Sequence, residues 1–108
     1  MFEYRFSADM AKELEAPSAG ITSRTFFEDE RVKIVNFAFA EGESLSEHTA
    51  SVPAVVHILQ GEAKMTFEQE ERQMGAGSWV HMDANLPHSV TAVTPMVMVI
   101  YLLRGQQS

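Results

Sequence analysis

The chain has 108 residues, 45% of them apolar and 21% charged, a balance that suits one globular domain with its own core. Eight Lys and Arg against fifteen Asp and Glu give a net charge of −7, and the basic residues are scattered singly, which argues against a nucleic-acid partner. There is no cysteine, so disulfides, thiolate metal sites and cysteine nucleophiles are excluded, and the longest apolar run, Met96 to Leu103, is far too short to span a bilayer.

The opening residues Phe2, Tyr4 and Phe6 alternate with Glu3 and Arg5, the period of a strand. Asp9 can cap a helical turn or two ending before Pro17, and Ser18-Ala19-Gly20 is a loop by composition. Residues 1–20 therefore read as an N-terminal strand and linker. No apolar run of signal-peptide type follows the charged start, so a cytoplasmic location and no membrane partner are expected. Ile21 to Phe27 and Val32 to Ala40 form a strand pair about the charged turn Glu28–Arg31, and Glu41-Gly42 turns the chain again.

Val52 to Leu59 is apolar on both faces and reads as a buried strand, with Gln60-Gly61 as a two-residue hairpin. In Glu62 to Gln69, Ala63, Met65 and Phe67 alternate with polar residues, a half-buried strand. Glu68, Glu70 and Glu71 fit a solvated hairpin better than a metal site. Gly75-Ala76-Gly77 is a turn, Ser78 to Met82 a short strand, and Pro87–Val93 and Met96–Leu103 two more, parted by Thr94-Pro95. Roughly eight to ten short strands broken by turns predict a single all-β domain, 1–108, with a barrel core over 32–103. The aromatic edge at Phe2, Tyr4 and Phe6 is a site for pairing with a second chain, so a homodimer is expected.

Chemistry rests mainly on His48, His57, His81 and His88. His88 shares strand parity with Val90 and Ala92 and should point inward. His81, in Trp79-Val80-His81-Met82, reads as structural. Met65, Phe67, Met82, Met96 and Met98 fall around the same region and supply either a methionine-rich core or an adaptable lining.

Around these histidines the sequence resembles the two motifs of the cupin family. Gly42, five residues and His48 match the start of the first motif, and Gly61 its closing glycine. The second histidine and the glutamate of that motif fall on Ala50 and Ala54. Gly77 opens the second motif and His88 takes its histidine, while Asp83 and Asn85 replace its proline and glycine, and Ala92 its asparagine. The intervening Glu62 to Ala76 fit one hairpin. The resemblance implies a small single-domain, RmlC-like cupin: a double-stranded β-helix or jelly-roll barrel.

Metal-binding relatives use three histidines and one glutamate, of which His48 and His88 remain. The resemblance thus implies a divalent metal (Zn, Fe, Mn or Ni) at His48 and His88, with His57 as leading candidate for a third donor. Strict alternation puts His57 on the face opposite Ala54, and only a bulge would reverse that. The two histidines should face each other in the barrel, with any metal held more weakly than in a four-donor site. His88 and His48 are also the candidate catalytic residues, able to act as general bases. The implied function is small-molecule binding, either as a metal-dependent enzyme of dioxygenase, isomerase or lyase type, or as a non-catalytic, effector-sensing module. A storage role is the third reading.

Overall fold

The computed structural model describes residues 2–105. Nine strands follow one short 3-10 turn at Met10–Lys12: β1 (Ile21–Glu28), β2 (Val32–Phe39), β3 (Ser44–His48), β4 (Ala54–Gln60), β5 (Glu62–Phe67), β6 (Glu70–Gly75), β7 (Trp79–Met82), β8 (His88–Ala92) and β9 (Met96–Leu103). They form two sheets, β1-β2-β9-β4-β7 and β3-β8-β5-β6, with every pairing antiparallel. The result is the expected all-β jelly roll. No helix among the described residues is long and apolar enough to cross a membrane.

β9 shows why its sequence is a continuous apolar run. It lies between β2 and β4 at the centre of the five-stranded sheet, and Met96, Val97, Met98 and Val99 are all buried. Inward go Met96 and Met98, into a core with Phe39, Ile58, Met65 and Val90. Outward go Val97 and Val99, beside Ala38 and Asn36 of β2. The N-terminal segment shields this outer face: its 3-10 turn contacts β4, and Glu13 bonds to Arg24 of β1. Asn36 is buried there with both side-chain amide atoms unpartnered, a local cost with no compensation among the described residues.

The register of the larger sheet grades its inner face from core to mouth. Phe39 pairs with Met96 at the closed end; next come Phe37, Met98 and Ile58, then Val35, Ile100 and Val56. The last row is Lys33, Leu102, Ala54 and Met82. Bulk is lost and charge gained along these rows, so the sandwich is filled at one end and open at the other.

The β1–β2 hairpin is fixed by its acidic turn. The Asp29 carboxylate accepts bonds from the Arg31 and Val32 backbone N–H groups at 2.8 and 2.9 Å, which hold its pKa below the usual value. Glu28 is likewise lowered by its hydrogen bond with Arg104, at 2.6 Å.

Three expectations are corrected. Residues 2–6 form no strand; Phe2, Tyr4 and Phe6 are exposed, and the segment is held by Arg5, whose guanidinium lies over the Phe27 ring. Alternation without a neighbouring strand to pair with does not make a strand. The stretch Asp9–Ala16 shortens to the single turn that Asp9 caps by accepting from the Ala11 N–H. Gln60-Gly61 is no hairpin, because β4 and β5 belong to different sheets. It is the corner where the chain changes sheet, and the close approach of another loop demands glycine. Gly61 has φ +80°, and a Cβ there would stand 2.1 Å from the Pro95 carbonyl oxygen.

Gly61→Ala is therefore expected to lose about 2 kcal/mol or more, from backbone strain plus overlap with a backbone atom. Gly20→Ala, at a similar φ but with nothing within 4 Å, should lose only about 1 kcal/mol. Urea unfolding of the two variants measures the difference; equal losses would contradict the corner's packing role.

Candidate functional site

The open end of the sandwich holds a cavity of about 480 Å³ lined by residues of both sheets. His48 and His88 form one wall; Ala50, Ala54, Met82, Ile100 and Leu102 are among the apolar residues facing them. His88 is buried, with Val90 and Ala92 on the same face of β8. His48 is exposed at the mouth, at the end of β3.

A bulge brings the two histidines together. Ser44 and Leu45 pair with Thr91 and Val90, but His48 pairs with His88, so β3 carries one residue more than β8 between these points. Continued without the extra residue, the ladder would set Glu47 opposite His88 and turn His48 to the other face. With it, the imidazole centroids lie 4.3 Å apart, the rings tilted by 58°.

Each ring is oriented by a backbone carbonyl two residues before it. His48 Nδ1–H donates to the Ser46 carbonyl at 2.6 Å, and His88 Nδ1–H donates to the Leu86 carbonyl at 2.9 Å. A carbonyl can only accept, so both Nδ1 atoms carry a proton, and in the neutral form of each ring the lone pair is on Nε2. Neither Nε2 has a protein partner among the described residues. The loop before His88 is tied to the segment that follows β3, since the Asn85 N–H donates to the Ala50 carbonyl at 2.7 Å. Asn85 has φ +69°, a left-handed conformation that asparagine tolerates better than other side-chain-bearing residues.

The remaining candidates lie elsewhere. His57 alternates with the inward Ala54, Val56 and Ile58, and it pairs with Trp79 and Val99 on the outer face. The bulge in β4 comes after Ile58, too late to turn it inward, so His57 does not join the pair as a third donor. His81 is exposed and borders a separate groove with Trp79, Arg72 and Phe67. Of the apolar residues expected around the site, Met82 lines the cavity; Met65, Met96 and Met98 are core, and Phe67 borders the other groove. Lys33 and Arg24 are the charged lining residues that sequence reading missed; Lys33 is the one on the inner face. Its parity with Val35 and Phe37 was the available signal.

The donor set decides how a metal would fare. Zinc and iron centres that do chemistry take at least three protein ligands, and no group of three His, Cys, Asp or Glu side chains is assembled among the described residues. Ala50 and Ala54 line the cavity beside the histidines but donate nothing. Two imidazoles do not fit a tightly resident metal.

Comparison with known proteins agrees with this architecture. The family model described as a cupin domain matches residues 35–103. A Streptococcus pyogenes protein of unknown function has a similar structure, with 25% identity, a TM-score of 0.86, and 98% of this chain and 93% of that one covered. A cupin-superfamily protein of Desulfitobacterium hafniense gives 26% identity and a TM-score of 0.86, covering 95% and 94%. KdgF of a Halomonas species shares the fold alone, at 19% identity and a TM-score of 0.72, covering 80% and 82%. No curated protein matches the sequence.

Proposed function

The chain belongs to the cupin family, and from that membership we propose that it binds a small molecule in the cavity beside His48 and His88. The observation that carries this reading is the shared orientation of the pair, each Nδ1 directed at a backbone carbonyl. Both Nδ1–H groups are taken by backbone carbonyls, which leaves two Nε2 lone pairs 4.3 Å-spaced rings can present to one guest. A hydroxyl or amine of the ligand can donate to either nitrogen, and the buried His88 can take a proton from a ligand group as a general base. The apolar wall opposite suits the body of such a molecule. Family membership is shared by enzymes and binding modules alike, so the chemistry must come from this pair rather than from the fold.

A divalent cation can use the same lone pairs, with water or ligand filling its other positions, and its binding should weaken on acidification because protons compete for Nε2. Zinc titration of the purified protein, followed by calorimetry, tests the site. Weak binding is expected in the parent and in His57→Ala, and none in the His48→Ala, His88→Ala double variant. Restoring the two missing donors with Ala50→His and Ala54→Glu should tighten zinc by about 100-fold, since four ligands close a tetrahedral site. Binding that survives the double variant would contradict the placement.

We also propose that the chain forms a homodimer through its N-terminal segment, where Phe2, Tyr4 and Phe6 are 100%, 92% and 74% exposed. Three exposed aromatics in one short segment form an apolar edge suited to a second copy. Sedimentation should show a dimer that Phe2→Ser, Tyr4→Ser, Phe6→Ser converts to monomer. A parent chain that sediments as a monomer at micromolar concentration would refute this.

A further inference from the structure

Charge is distributed against the average of the chain at the cavity. The protein carries fifteen acidic residues and a net charge of −7, yet no Asp or Glu lines the cavity, while Arg24 and Lys33 do. The two cations differ in what already holds them. Arg24 pairs with the outward-facing Asn36, and its guanidinium is engaged by the backbone carbonyl and the carboxylate of Glu13. Lys33 lies on the inner face, in the row with Leu102 and Ala54, and forms no ion pair among the described residues.

Its cross-strand neighbour Glu28 feels the Lys33 charge, but Arg104 holds that carboxylate at 2.6 Å. Lys33 is also two strands from Ala54, a backbone separation of roughly 10 Å that a lysine side chain can largely cover. The space left by the small side chain of Ala54 is thus within reach of the half-buried Lys33 on one side and an imidazole pair on the other.

Resting on the reading of this cavity as a ligand site, we propose that its ligand is a small organic carboxylate whose acid group pairs with Lys33. The apolar body lies against Val35, Ile100, Leu102 and Met82, and a hydroxyl or similar donor at the other end meets Nε2 of His48 or His88. An ammonium that forms no ion pair among the described residues, beside a cavity lined by no carboxylate, favours an anion over its neutral isostere. The surrounding acidic surface repels anions in general, so selection occurs inside the cavity rather than by long-range attraction.

The test uses four acids (butyrate, succinate, 2-hydroxybutyrate and benzoate) and their carboxamides, titrated into the full chain and followed by the methyl resonance of Met82 and the ring protons of His88. At least one acid should move both signals and bind about tenfold or more tightly than its amide. Lys33→Met should abolish that preference and Lys33→Arg should keep it. Acids and amides binding alike, or a preference that survives Lys33→Met, would overturn the carboxylate assignment while leaving the cavity a ligand site. If no probe moves Met82 or His88, or if shifts appear only elsewhere, the assignment fails. Zinc titration of the histidine pair then judges the site itself independently.

Discussion

One extra residue in β3 sets the chemistry of this molecule. The bulge between Leu45 and His48 changes which side chain of β3 shares a face with His88. A regular ladder would put Glu47 there, giving a carboxylate beside an imidazole, a pair that attracts cations and holds the histidine's proton. The bulge instead sets imidazole beside imidazole. Because each ring is also pinned through Nδ1 to a carbonyl two residues back, the pair offers lone pairs rather than protons to the cavity. A bulge costs ladder bonding, and the Asn85-to-Ala50 hydrogen bond supplies a replacement link across the same lip.

The rest of the sandwich supports that arrangement by being asymmetric along its strands. Large side chains close one end, where Phe39, Ile58, Met96 and Met98 are fully or almost fully buried. Toward the other end the same inward rows run out into Ala54, Leu102 and Lys33. An alanine at position 54 has two effects: it withholds a metal donor, and it leaves volume for a guest. The lining itself carries no carboxylate, and Glu28 and Glu13 are bound to Arg104 and Arg24.

Much of the fold was legible because burial writes its period into the residues. The apolar run Met96–Leu103 announced a strand, and His88 with Val90 and Ala92 announced an inward row. The strand β3, Ser-Leu-Ser-Glu-His, was not legible: four of its five residues are exposed, so no apolar alternation marks it, and its bulge leaves no signature at all. Gln60-Gly61 looked like a hairpin because a tight hairpin and a sheet-changing corner both use a glycine at positive φ. Only the partner strands tell them apart. Asn85, standing where the resembled motif has glycine, makes sense once its φ of +69° is known.

The paired-acceptor site depends on the protonation of two rings. Long-range proton–nitrogen NMR of the imidazoles, at mildly alkaline pH, reads the tautomer of each directly. His48 and His88 should both show a protonated Nδ1 and a bare Nε2, in contrast to His48→Ala and His88→Ala controls that assign the signals. A proton on Nε2 of either ring would set its Nδ1 lone pair against the carbonyl it is supposed to hold, and would contradict the paired-acceptor site.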